Sequence, residues 1–334
     1  MSCATCHDPA RAFTDSRDNG VAGAASLGND GATLGDRNAP MLTYAAEVPA
    51  FVRREDGSYT GGLFHDGRAA DLSRQARQPI LSPKEMALAT ASVVRDRVRE
   101  NPAYVDAFSA LLGTDALATP DRALDSVAEA IAAFESSAEF STFDSRYDRY
   151  LRGEVTLTRE EELGRSLFFS PLSNCSQCHL IDQRENSEGE LFSNFEYHNI
   201  GVPRNSRLLE ANGRGEQHVD RGLEDNPRVR GREHRGKVRV PSLRNVAVTA
   251  PYMHNGVFAE LETAIVFYNR FLVDSAASRT NPETGEPWGE APVPETVAHD
   301  RLEKGQPLGD RRVKQIVAFL KTLTDQRYEH LLER

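Results

Sequence analysis

The chemistry in this chain begins with its four cysteines, which fall into two pairs, Cys3 with Cys6 and Cys175 with Cys178. The members of each pair are two residues apart, and a histidine follows each pair at once, His7 and His179. Cys-x-x-Cys-His is the attachment signature of c-type haem. Each cysteine can form a thioether to a vinyl carbon. The adjacent histidine can reach the iron from one face, because a short turn aims all three side chains at one macrocycle. What the iron does then depends on its other face. A redox disulfide does not require the histidine, still less twice. One zinc shared by four cysteines would leave two adjacent histidines as coincidence. The spacing predicts two covalently attached haem c groups.

Those motifs need elements to hold them. A chain of 334 residues suits about two domains, and the motifs fall one to each half. With 40 basic and 50 acidic side chains the net charge is −10, which argues against a nucleic-acid binder. The most apolar long stretch, Val246 to Ala259, is interrupted by Pro251, His254, Asn255 and Gly256 and cannot span a bilayer. Helical periodicity marks Pro120 to Phe134 and Val313 to Leu323. Thr158 and Glu161 form a capping-box pattern at the start of another helix, and Ser82 with Glu85 does the same for a helix over Ser82 to Val98. No run alternates as a strand would. The reading is an all-α fold of two haem domains, residues 1–150 and 151–334, with long intervening loops. Two of these, Gln183 to Lys237 and Asp274 to Pro307, are longer than compact domains usually allow. A cofactor that organises loops around itself explains them; surface disorder is the alternative for Arg207 to Arg235.

A weak internal repeat links the halves. Ala39-Pro40-Met41-Leu42 is echoed by Val240-Pro241-Ser242-Leu243, Phe64-His65-Asp66-Gly67 by Met253-His254-Asn255-Gly256, and Asp71-Leu72 by Glu260-Leu261, in the same order.

The succession of the first haem motif, Asn38-Ala39-Pro40, His65-Asp66-Gly67-Arg68 and Ser82-Pro83-Lys84-Glu85-Met86 resembles the first half of bacterial dihaem cytochrome c peroxidases. The second motif, Val240 to Val246, Thr249 to Gly256 and a last helix ending Ala318 to Leu323 continue the resemblance over nearly the whole chain. It implies two cytochrome c-like helical domains with a calcium ion between them. It also implies a peroxide-reactive N-terminal haem and a six-coordinate, electron-carrying C-terminal haem. One branch of the superfamily reduces hydrogen peroxide with electrons from small cytochromes. Another, the MauG enzymes, oxidises amino acids of a partner protein. A non-catalytic dihaem electron-transfer cytochrome is the remaining reading, and it would need both irons closed.

The resemblance also assigns residues. His7 and His179 are the proximal iron ligands. Tyr268 stands where ordinary peroxidases have a methionine and the MauG branch a tyrosine. A phenolate there favours ferric and higher oxidation states. A core tyrosine, with Met253 as the rival ligand, is the alternative. The repeat sets Pro79, which has no donor for iron, opposite Tyr268. Gly20 to Arg37 contains no histidine to cap the first iron, so the first site is expected to be open without prior reduction. Glu85 takes the acid–base role, with Gln75 as a nearby polar group, although Glu85 also fits a helix cap. His65 occupies the position between the haems where the family has tryptophan, which weakens the relay expected there. Calcium would be held by Asn38 and the carbonyls of Thr249 and Pro251. The partners implied are hydrogen peroxide and a small redox protein or a secreted protein substrate. Covalent haem attachment implies the periplasm. The chain opens Met-Ser-Cys with no apolar run behind it, so the export signal is expected to lie outside this sequence.

Overall fold

The computed structural model describes residues 2–181 and 189–333. Helices dominate: α1 Leu72–Leu81, α2 Ala91–Arg99, α3 Pro102–Leu112, α4 Pro120–Glu135, α5 Arg146–Leu151, α6 Arg159–Phe168, α7 Ser206–Ala211, α8 Leu261–Val266, α9 Ala276–Arg279, α10 His299–Leu302 and α11 Asp310–Lys321. Strand content is small. β1 Val52–Arg53 pairs antiparallel with β2 Tyr59–Thr60, and β3 Tyr197–His198 with β4 Val238–Arg239.

In the first half, α4 starts where Thr119 caps the amide of Arg122 and Pro120 presets the first turn. Its Leu124 packs with Ile80 of α1 and Val94 of α2, fixing α1 against the cavity described below. In the second half the Thr158–Glu161 capping box forms as expected and starts α6. Phe168 of α6 joins Tyr147, Phe192, Ile316, Phe319 and Leu320 in one core. The proposed boundary at residue 150 runs through α5, whose Tyr147 packs in that second core.

The contact of α6 with α11 depends on Gly164. A Cβ at this position would run into the backbone carbonyl of Gln315. Alanine favours a helix over glycine by about 1 kcal/mol, yet overpacking against a fixed backbone costs about 1–3 kcal/mol or more. Gly164→Ala is therefore expected to lower the denaturant midpoint, and an unchanged or raised midpoint would contradict this packing.

Three expectations need correction. The helix expected over Ser82 to Val98 is broken. Ser82 ends α1, its amide bonded to Gln78 O at 2.9 Å, a turn follows, and α2 begins only at Ala91. Pro83 holds Ser82 in an extended conformation, and Ala87 adopts a left-handed φ of 55°, so no helix can run through. The loop Gln183 to Lys237 is not structureless where it is described. Its residues 183–188 lie outside the described residues, but from 189 onward it contains β3 and α7 and buries Leu208, Leu223 and Val229. Asp274 to Pro307 likewise contains α9 and α10, and its Trp288 is buried with Nε1 donating to Ser278 O at 2.8 Å.

The sequence repeat is also a backbone repeat. Leu63 bridges Ala69, and Tyr252 bridges Phe258. Phe64 and Met253 both take left-handed φ values, 63° and 72°. α1 and α8 then begin three residues after each bridge. Among the described residues no helix is long and apolar enough to cross a membrane.

Candidate active site

Both Cys-x-x-Cys-His motifs open on one continuous cavity of about 860 Å³. This is at the upper end of ordinary ligand sites, ~300–1,000 Å³. No disulfide joins the four cysteines, and burial raises the pKa of each thiol, to about 11 for Cys178. Among the described residues no group of three or more His, Cys, Asp or Glu is gathered to hold a metal ion, so the cysteine pairs do not form one zinc site. The two motifs are built alike, each pair of cysteines beginning on a short 3-10 turn, Cys3–Thr5 and Cys175–Gln177. His7 Nδ1 donates to Phe13 O at 2.8 Å, and His179 Nδ1 to Phe192 O at 2.9 Å. A carbonyl can only accept, so Nε2 is left as the basic nitrogen of each ring, the arrangement typical of a metal-binding histidine. Burial keeps both rings neutral, lowering His179 to about 4. This donor set fits haem c twice over.

At the second motif, Tyr268 stands on the 3-10 turn Phe267–Phe271 that follows α8. It lines the cavity near Cys175 and Cys178, and its hydroxyl has no hydrogen-bond partner among the described residues. The hydroxyl opens on the cavity beside the attachment cysteines, where an iron ligand would stand. Burial raises its pKa. Met253 also lines the cavity but packs against the cluster of Phe258, Phe267 and Trp288.

At the first motif, α1 brings Gln75 and Pro79 to the cavity wall, and the turn after α1 brings Glu85. Glu85 does not cap a helix. Its carbonyl accepts the Asn29 amide at 2.7 Å, while its carboxylate has no hydrogen-bond partner among the described residues and is close enough to act electrostatically on His7. The breakdown of the expected helix therefore removes the structural role that competed with acid–base chemistry.

Between the motifs lie two histidines. The His65 ring donates from Nε2 to Asn38 O at 3.0 Å, and its centroid is 6.5 Å from that of His254. Burial and the nearby Arg37 hold His65 neutral, lowering it to about 3. Asn38 Nδ2 donates to Gly23 O at 3.2 Å. Its Oδ1 and the carbonyls of Thr249 and Pro251 accept no hydrogen bond among the described residues, and all three residues line the cavity. Such unclaimed oxygens fit a calcium ion.

Sequence reasoning missed several wall residues. Arg37 grips Asp220 with two bonds, 2.7 and 2.6 Å, and Asp66 with a third at 2.7 Å, tying the first half to the long loop. That loop also brings Arg214 and His218 to the cavity. Glu135, at the end of α4, is buried beside Cys3, and desolvation raises it to about 7. Of these and His254, the repeat could have revealed only His254, as the counterpart of His65.

Residues 1–156 match the family described as di-haem cytochrome c peroxidase. Over 333 residues the chain is 52% identical to the methylamine utilization protein MauG of Paracoccus denitrificans, a match spanning 100% of this chain and 86% of that protein. The chain belongs to the dihaem cytochrome c peroxidase/MauG family. Its identity to the cytochrome c551 peroxidase of Nitrosomonas europaea is 29% over 326 residues, covering 97% of this chain and 74% of the other. The fold agrees with the crystal structure of the diheme peroxidase BthA from Burkholderia thailandensis, with a TM-score of 0.84 at 33% identity, over 98% of this chain and 82% of that one. Like other members of the dihaem peroxidase/MauG family, the protein is a haem-dependent oxidoreductase that uses hydrogen peroxide and transfers electrons between two haem sites.

Proposed function

We propose that this protein directs the oxidising power of hydrogen peroxide onto a residue of a partner protein, with a tyrosine-ligated second haem. The observation that carries this reading is Tyr268 lining the cavity beside Cys175 and Cys178 of the second attachment motif. The higher identity to a MauG than to a cytochrome c551 peroxidase supports it. A small redox protein as electron donor is the alternative partner. Covalent haem attachment supports a periplasmic location.

The first half, residues 1–150, serves the peroxide site, and the second half, 151–334, the electron-transfer site. Cys3 and Cys6 would hold the first haem and Cys175 and Cys178 the second, with His7, His179 and Tyr268 as the residues that would bind iron. When bound, the first haem would supply a redox-active iron for peroxide, and the second an iron that stores or passes on electrons. Pro79 offers no donor and so leaves the first position open. Glu85 accepts the proton from the near oxygen of peroxide and returns it to the departing oxygen. Gln75 contributes a neutral amide to orient the peroxide. His65 orients its ring on the Asn38 carbonyl between the two sites. Asn38 Oδ1 and the carbonyls of Thr249 and Pro251 would hold calcium.

Tyr268→Met tests the reading. A neutral thioether favours ferrous iron more than a phenolate does, so the second haem's reduction potential should rise. Redox titration followed by absorbance reads the change. An unchanged potential and an unchanged spectrum would remove Tyr268 as the ligand, and with it the reading.

A further inference from the structure

Tyr44 stands in a backbone conformation that a bulky residue rarely adopts. Its φ is 61° and its ψ 12°, in the left-handed region. The repeat counterpart, Asn245, has φ 57° and ψ 12°. Each residue opens an equivalent 3-10 turn, Ala45–Glu47 and Val246–Val248. Asparagine tolerates this region; tyrosine takes it rarely, although Phe13, Phe64, Phe143, Phe192 and Phe195 share it in this chain.

The two counterparts converge on one carboxylate. The Tyr44 hydroxyl donates to Asp325 Oδ1, and Asn245 Nδ2 donates to Asp325 Oδ2 at 2.8 Å. The Tyr44 oxygen in turn accepts the Phe143 amide at 3.2 Å. Tyr44, Asn245 and Asp325 are all buried, and Tyr44 lines the haem cavity. The Arg244 guanidinium lies 5.4 Å from the Tyr44 ring centre and is itself bonded to Asp148 at 2.9 Å.

We propose that Tyr44 is a redox-active tyrosine of this enzyme, with Asp325 as the acceptor of its proton. One electron leaves the phenol for the oxidised haem cavity. The Tyr44 O–H bond breaks and an O–H bond forms on Asp325, so a phenol and a carboxylate become a neutral tyrosyl radical and a carboxylic acid. The oxidant is hydrogen peroxide, which takes two protons from solvent and two electrons to become two waters; Tyr44 supplies one electron, and the haem that the first site would hold supplies the other. Proton transfer accompanies electron loss here, because an oxidised phenol is a strong acid and the Asp325 carboxylate already accepts its hydrogen bond. After the transfer the Phe143 amide still holds the oxygen. The pair stores one oxidising equivalent on the chain itself when no reductant is at hand. The inference rests on the peroxide chemistry of the first site and not on Tyr268.

The test is electron paramagnetic resonance on holoprotein frozen after one equivalent of peroxide without reductant, prepared with ordinary and with ring-deuterated tyrosine. Wild type should give an organic radical whose hyperfine pattern narrows on deuteration. Tyr44→Phe, compared at matched haem content, should lower that signal at least tenfold. Asp325→Asn keeps an oxygen acceptor for the phenol but takes up no proton, and should lower it too. If Tyr44→Phe does not load both haems, Asp325→Asn decides. A tyrosyl signal of wild-type size in either loaded variant overturns the proposal. So does a wild type that consumes peroxide with no tyrosyl signal, whereas a wild type that consumes no peroxide overturns the chemistry of the first site as well.

Discussion

Glu85→Gln is expected to slow the reaction with hydrogen peroxide by about 10²–10⁴-fold while leaving both haems attached, the usual contribution of a positioned acid–base group. The carboxylate lines the cavity on the side of His7 and has no hydrogen-bond partner among the described residues. It is therefore available to take a proton from one peroxide oxygen and give it to the other. Glutamine keeps the size and polarity and loses that shuttle. A cap role would predict near-normal kinetics with a small stability change, but Ser82 ends α1 and starts no helix. The backbone around Glu85 is pinned independently, by Asn29 N to Glu85 O at 2.7 Å and by Lys84 Nζ to Asp36 at 2.5 Å. The substitution should thus leave the turn in place. Stopped-flow absorbance at matched haem content measures the rate. A rate within about threefold of wild type would reject Glu85 as the acid–base group, since catalytic proton transfer is worth far more.

Replacing Cys175 and Cys178 together by alanine should remove one of the two covalent haems completely. The turn does not need the thiols to form, since His179 N bonds Cys175 O at 3.0 Å and Asn194 N bonds Cys178 O at 2.9 Å through the backbone. His179, fixed by Phe192 O, could still bind a haem without a thioether. The measurement must therefore be intact mass after denaturation, which strips any haem not held covalently. The variant should carry one haem, retained by Cys3 and Cys6, and the wild type two. Two haems on the variant, or none on the wild type, would contradict the attachment scheme. With only the first site loaded, the oxidising equivalents of peroxide lose their second store, so turnover with an electron donor should collapse along with the second haem's absorbance.

Local chemistry was legible in the residues. The Thr158–Glu161 box, Pro120 at the head of α4 and the apolar side of α11 each act within one turn, so neighbours in sequence suffice to read them. Both attachment motifs are likewise local. Ser82-Pro83-Lys84-Glu85 carries the same local signature as a capping box, but Pro83 and the left-handed Ala87 override it. Distant contacts were not legible. The Arg207 to Arg235 stretch is polar in sequence, yet Arg37 grips its Asp220, and Lys237 O accepts the Leu223 amide at 2.7 Å. Its order depends on partners that periodicity cannot show. Tyr44 and Asp325 are 281 residues apart. The resemblance located Tyr268, whereas its lack of a hydrogen-bond partner emerged only in the folded chain.

The first site is expected to be open to peroxide, because Pro79 offers no ligand and Gly20 to Arg37 contains no histidine to cap the iron. It is tested by mixing fully ferric holoprotein, never reduced, with one equivalent of hydrogen peroxide and following absorbance and residual peroxide together. With an open site the spectrum should change and the peroxide should be consumed at once. A protein that leaves peroxide untouched until one haem has been reduced would contradict it, and would point to a cavity side chain such as His218 closing the first iron at rest.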